Sequence, residues 1–186
     1  GGHSDWRLPG AYELPKIMDF GEYNPIIDET YFPSTKSEPY WSTTTQEGWS
    51  DYAYAVQFSY GDHGVPAKTV SNYVRCVRGT STTRSFTDNG DSTVTDTKTG
   101  LVWQQTSGSQ RNWTSSLTYC EDLTLASQSD WRLPNIKELG SIVDLSQSLP
   151  SIDGTAFPSS GEGGYWSSTT RSLDVSYASL VLFSNG

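Results

Sequence analysis

Little in this chain suits a long helix, a membrane span or a phosphate-binding surface. Its 186 residues include only 12 Lys and Arg, two His, two Cys and one Met. No apolar run reaches the roughly eighteen residues that a spanning helix needs, so membrane insertion is not expected. The formal charge of −9 repels phosphate backbones and excludes nucleic acid as the expected partner. It also disfavours anionic membranes and sulfated glycans, except where a local basic patch overrides the average. His3 and His63 stand alone, without metal-ligand spacing. No Ser-His-Asp constellation, P-loop or dinucleotide fingerprint occurs, and the chain is read as a non-enzyme.

What is abundant is aromatic and turn-forming. Seven Trp, eleven Tyr and six Phe supply large rings that bury much area per residue, so a core is feasible with few aliphatics. Seventeen Gly and nine Pro, with many Ser and Thr, favour short strands and long turns. The composition looks extracellular. Cys76 and Cys120 admit two readings at this point, a disulfide if they meet or two buried thiols.

The chain repeats itself. Asp5-Trp6-Arg7-Leu8-Pro9 returns as Asp130-Trp131-Arg132-Leu133-Pro134, an offset of 125. Tyr40-Trp41-Ser42 returns as Tyr165-Trp166-Ser167, and Phe58-Ser59 as Phe183-Ser184. About 28 of 61 aligned positions are identical without a gap, far beyond chance. Residues 1–79 read as the back of a first copy, 80–85 as a linker, and 86–186 as the front and middle of a second. That partition reads as a segment of something longer.

Within a copy, Phe86 to Gln105 predicts a hairpin with turns at Asp88–Asp91 and Asp96–Gly100, since Asn and Gly tolerate positive φ. Asn112 opens a helix carrying Trp113, Leu117 and Cys120 on one face. A second helix follows Pro134, with Ile136, Leu139, Ile142 and Val143 on one face and Glu138 exposed. Pro15 stands in the first copy where the second has Gly140, so the first copy's helix must be short or bent. Tyr52, Tyr54, Val56 and Phe58 alternate as a strand with one buried face, Tyr54 being the least constrained. Tyr73–Arg78 reads as a further strand.

These ordered motifs, from Phe86-Thr87-Asp88-Asn89-Gly90-Asp91 and Thr99-Gly100-Leu101-Val102-Trp103 through Tyr119-Cys120, Asp130–Pro134 and Tyr165–Thr169 to Tyr73–Gly79, resemble the DUF1566 family, which is similar to the C-terminal domain of the Legionella collagen-like adhesin. The resemblance covers nearly the whole chain. It implies an α+β, C-type-lectin-like fold, β-rich with two short helices per repeat and long irregular loops. It implies a bacterial surface or secreted adhesion module binding a glycan or protein. It also places Cys76 on a last-strand motif and Cys120 on a first-helix motif, positions joined by a disulfide in such folds. Here they belong to different copies. Either each copy is completed by a neighbouring chain, or the first copy's last strand pairs with the second copy's first strand through a hairpin over Arg78–Arg84. Both imply self-association, since an open sheet edge seeks a partner, and a structural subunit that polymerises is the alternative function.

Four clusters carry candidate chemistry. Glu47, Trp49 and Asp51, with Tyr54 on the following strand, combine aromatic stacking with acidic acceptors and suit a sugar face or a peptide. A Trp folded onto its own loop is the competing reading. Lys68, Arg75, Arg78 and Arg84 form the one basic stretch, where the resemblance would place glycosaminoglycan binding. Asp88, Asp91 and Asp96 could hold a structural calcium, although the spacing is not that of an EF-hand and an Asx-rich turn explains it equally. The sugar-binding triplets of calcium-dependent lectins do not occur. The recurring Trp6-Arg7 and Trp131-Arg132 pairs read as a core Trp beside an Arg that satisfies loop carbonyls.

Overall fold

A computed structural model describes residues 2–81, 84–147 and 149–184. The chain forms two compact units, Gly1–Thr82 with Arg171–Tyr177 and Thr83–Thr170 with Ala178–Gly186. The structure is β-rich with few helices, in several small sheets.

In the first unit, strand β1 is Trp6–Arg7, followed by one 3-10 turn at Leu14–Ile17. Strands β2 (Pro39–Gln46) and β3 (Trp49–Gln57) form a long hairpin, and β4 (His63–Gly64) adds to β3. Strand β5 (Val77–Arg78) closes the unit against β1. Pro15 sits at the start of the 3-10 turn, where its missing N–H costs no hydrogen bond, and the expected shortening follows. The unit thus has no α-helix among its described residues, which corrects the expectation of two helices per repeat. Leu14, Met18, Ile26, Ile27, Tyr40, Val56 and Phe58 form its core. Burying one such side chain stabilises by about 1.5–3 kcal/mol, so this cluster holds the turn against the hairpin.

Strand β3 corrects the alternating pattern. Trp49–Tyr52 are exposed and Ala53–Val56 are all buried, so the strand passes from an open half to a half covered on both faces. Residues 66–68 lie along part of its edge, with Ala53 N donating to Pro66 O and Lys68 N to Asp51 O.

The second unit opens with β6 (Phe86–Asp88), β7 (Thr93–Asp96) and β8 (Val102–Gln104), an antiparallel meander with turns where the Asx and Gly residues predict them. Helix α1 (Trp113–Glu121) is capped by Asn112, whose side chain accepts from Ser115 N. Helix α2 (Ile136–Ser141) has a capping box between Asn135 and Glu138. Strands β9 (Gly164–Thr170) and β10 (Ala178–Leu182) form the second hairpin. Leu139, Val143, Ile152, Val181 and Phe183 are buried at the positions of Leu14, Met18, Ile27, Val56 and Phe58. Trp113 Nε1 donates to Ser167 O at 2.8 Å and Trp166 Nε1 to Arg111 O at 3.1 Å, tying the helix region to β9.

The repeat extends to individual hydrogen bonds. Ser42 Oγ donates to Tyr54 O at 2.7 Å, and Ser167 Oγ to Ser179 O at 2.8 Å. Lys36 N donates to the Tyr40 hydroxyl at 2.9 Å, and Gly161 N to the Tyr165 hydroxyl at 3.0 Å. Tyr40 packs on Phe58 at 4.7 Å between centroids, and Tyr165 on Phe183 at 4.8 Å.

Candidate functional site

The β2–β3 hairpin turns through Glu47-Gly48, with Gln46 paired to Trp49. Gly48 has φ +75, a conformation that L side chains rarely adopt. Beyond the turn Trp49 is 60% exposed and meets Tyr52 edge-on at 6.1 Å. The ring projects beside a second ring rather than folding onto its own loop. Lys68 Nζ braces the hairpin by donating to Ser50 O at 2.6 Å and Thr45 Oγ1 at 3.0 Å. Glu47 and Asp51 are exposed near the step. Tyr54 does not join them. It is 5% exposed, edge-on to His63 at 6.4 Å, and burial pushes its phenol pKa up. Tyr52, at 37% exposed, is the tyrosine that stands beside Trp49, and the expected ligand-binding role of Tyr54 is corrected.

The basic residues do not form a shared patch. Lys68 is spent on the hairpin. Arg75 lies over the rings of Phe32 at 5.0 Å and Tyr40 at 5.7 Å, and its Nη2 donates to Thr35 Oγ1 at 2.7 Å. Its Nε is buried without an acceptor among the described residues. Arg78 pairs with Asp5 at 2.8 Å and lies over Trp6 at 5.8 Å. Arg84 belongs to the second unit, where Nε donates to Ser141 O and Nη1 faces Asp144 at 3.7 Å. Consecutive charges in sequence thus point to separate partners, which corrects the basic patch.

The three aspartates are likewise dispersed. Asp88 accepts from Gly90 N and Gln105 Nε2, bonds that hold its carboxyl below the usual range. Asp91 accepts from the backbone N and hydroxyl of Thr93. Asp96 is buried and accepts from Lys98 N and the Thr99 hydroxyl. Each carboxylate closes its own turn, and no three metal-capable side chains come together among the described residues. The grouping of Asp88, Asp91 and Asp96 as one calcium site is corrected accordingly.

Sequence reasoning missed an ion pair built twice. Arg7 donates to both carboxylate oxygens of Glu13 at 2.6 and 2.7 Å, and Arg132 to both of Glu138 at 2.7 and 2.6 Å. Glu13 also accepts from Gly10 N and Glu138 from Asn135 N. The guanidinium bonds hold both glutamates below their ordinary pKa. Glu138, expected exposed, is therefore a half-buried partner that organises the start of α2. The Trp is not core in the first copy, where Trp6 is 56% exposed. Recurrence of Arg and Glu six residues apart in both copies is the signal that could have found the pair.

Comparison with known protein families matches residues 1–78 and 92–186 to the Lcl C-terminal domain. The chain belongs to the Lcl C-terminal domain family. That family is associated with surface proteins, and among the described residues no helix is long and apolar enough to cross a membrane. No curated protein and no solved structure matches the chain.

In this Lcl C-terminal domain chain both cysteines are free thiols, Cys76 exposed and Cys120 half-buried. The disulfide expected between them is corrected, and the pairing of strands explains why. Strand β5, next to Cys76, pairs with β1 of its own copy, Trp6 opposite Arg78 and Arg7 opposite Val77. Strand β6, which precedes the helix carrying Cys120, pairs with β7. The first copy's last strand is not shared with the second copy's first. The hairpin expected over Arg78–Arg84 falls partly on residues 82 and 83, which lie outside the described residues.

Proposed function

We propose that the chain is a non-catalytic recognition module of a bacterial surface or secreted protein, with a C-type-lectin-like fold, binding a glycan or protein ligand at the tip of the β2–β3 hairpin. One observation carries this reading: Trp49 stands 60% exposed against Tyr52, with Glu47 and Asp51 exposed on the same hairpin. An aromatic step offers a flat apolar face to a sugar ring or a peptide side chain, and the carboxylates accept hydrogen bonds from hydroxyls or amides. The Lys68 brace restricts the hairpin before binding, which lowers the ordering cost on association. Membership of a family associated with surface proteins supports the location. The test is Trp49→Ala on a glycan and extracellular-matrix protein array. Binding should fall at least about tenfold with the circular dichroism spectrum retained. Unchanged binding would remove the hairpin tip from the function.

A second reading, self-assembly by strand donation between polypeptides, is favoured by β9, which pairs only with β10 among the described residues. Its first-copy counterpart β2 is flanked on both sides, by β3 and by Tyr73. Light scattering over a concentration series separates the readings: growth in mass with concentration supports assembly, and a constant monomer removes it.

A further inference from the structure

The two hairpin tips correspond residue for residue across the 125-residue offset, and they differ in a coordinated way. In the second copy Arg171 stands where the first has Gln46, and Tyr177 where the first has Tyr52. The Arg171 guanidinium lies over the Tyr177 ring at 5.8 Å. Both carboxylates of the first tip are absent there, Ser172 replacing Glu47 and Ser176 replacing Asp51. Asp174, in the place of Trp49, is closed onto its own turn by the Ser176 N–H and hydroxyl. That tip supplies its own cation and is balanced, one Arg against one Asp.

In the first copy the pattern is inverted. Gln46 offers no cation to Tyr52. Trp49 instead brings a second exposed ring, standing at 87° to Tyr52. Two perpendicular rings make two walls of a cage for a cation. Glu47 lies two residues before Trp49 and Asp51 two after it, both exposed. Neither carboxylate has an ion pair among the described residues. The Lys68 ammonium is held by Ser50 O and Thr45 Oγ1, so the tip keeps two carboxylates against one cation. Elsewhere the chain sets its own guanidinium over its rings: Arg78 over Trp6 at 5.8 Å, Arg75 over Tyr40 at 5.7 Å and Arg111 over Tyr119 at 4.0 Å. The copy that lacks an internal guanidinium at its tip is the one that carries the second ring and the two unpaired acids.

We propose that the tip of the β2–β3 hairpin binds an arginine side chain from a basic segment of a partner protein. The planar guanidinium stacks in the Trp49–Tyr52 corner, and its N–H donors meet the carboxylates of Glu47 and Asp51. Hydrogen bonds between two charged groups are roughly twice as strong as neutral ones, so the acids select a cation over a neutral sugar. The net charge of −9 draws a basic partner toward the chain before contact. The proposal rests on the hairpin tip being the ligand site and names the partner that site takes.

The test is fluorescence anisotropy of labelled tetra-arginine added to the full chain at about 0.15 M salt, where distant surface charges are screened. Saturable binding is expected. Tetra-lysine should bind several-fold more weakly, because an ammonium has no planar face to stack. Trp49→Ala should weaken tetra-arginine binding at least about tenfold, and Glu47→Gln with Asp51→Asn about tenfold. Gln46→Arg should weaken it several-fold, by placing an internal guanidinium on Tyr52 as Arg171 does on Tyr177. Glu121→Gln with Glu162→Gln removes the same charge elsewhere and should change nothing. All of these positions except the half-buried Gln46 are exposed, so the variants should fold. Equal binding of tetra-lysine, equal losses in the tip and control variants, or no binding up to about 1 mM overturns the proposal. A glycan bound through Trp49 without arginine binding keeps the hairpin tip as the site and overturns its arginine partner. Arginine and array binding that both survive Trp49→Ala remove the two together.

Discussion

Sister copies in one chain share a skeleton of hydrogen bonds and differ in what covers it. In the first, β2 has β3 on one side and Tyr73 on the other, and Arg75 fills the cage above Phe32 and Tyr40. In the second, β9 pairs with β10 as its one strand neighbour among the described residues, Ser168 N donates to Pro134 O, and Phe157 and Tyr165 border a cavity. Both copies carry the same skeleton. Short-range bonds such as Ser167 to Ser179 and Arg132 to Glu138 are satisfied inside the hairpin and the helix start. Tyr73 and Arg75 add burial over β2 in the first copy.

The largest effect should come from the two central phenylalanines. Phe58→Ala should cost about 3–5 kcal/mol, because the ring is fully buried and its surroundings are packed. Phe183→Ala should cost less, since that ring already lines the cavity and part of its contact is missing. Denaturant unfolding followed by hydrogen exchange in each unit gives both values, and an equal loss would erase the difference between the copies. Next come the buried serines. Ser42→Ala and Ser167→Ala should each cost about 1–3 kcal/mol, because each removes a buried hydroxyl donor from a carbonyl that is buried at Tyr54 and half-buried at Ser179. The two losses should match, and a clear disparity would show that the shared skeleton is not energetically shared.

The glutamates test the comparison through pH. Glu13 and Glu138 both have depressed pKa values in the folded chain, so the stability they add is present above the ordinary glutamate range. It is lost as pH falls through the depressed values. Glu13→Gln and Glu138→Gln should each flatten the acid limb of the stability–pH curve while lowering stability at neutral pH. Parallel acid limbs for wild type and variants would sink the linkage. Smallest is thiol reactivity. Cys76 is exposed, whereas burial pushes the Cys120 thiol pKa up, so alkylation near pH 8 should label Cys76 first. A Cys76–Cys120 peptide in a non-reducing digest would contradict the free thiols.

Much of the local structure was legible in residue patterns. Asn112 and Asn135 as helix caps, the two Asx-Gly turns of the meander and the shortening at Pro15 each follow from one or two neighbouring residues. The site was less legible. Tyr54 and Tyr52 are interchangeable by alternation, and only the residues packed on the far half of β3 decide that Tyr54 is buried. Lys68, Arg75, Arg78 and Arg84 are close in sequence, and closeness along the chain is not closeness in space. An irregular segment with few regular strands sends successive side chains to unrelated partners.

The sequence by itself determined that the chain is a repeat with a 125-residue offset, β-rich, acidic and aromatic, because identity at fixed spacing and local backbone preference need no tertiary information. It also carried the family membership that the comparison established. Only the tertiary structure decided that β5 pairs within its own copy, that the two thiols are unbonded, and that the same Arg–Glu pair is built in both copies. Those outcomes depend on which surfaces compete for the same strand, and that competition is settled by packing between segments distant in sequence.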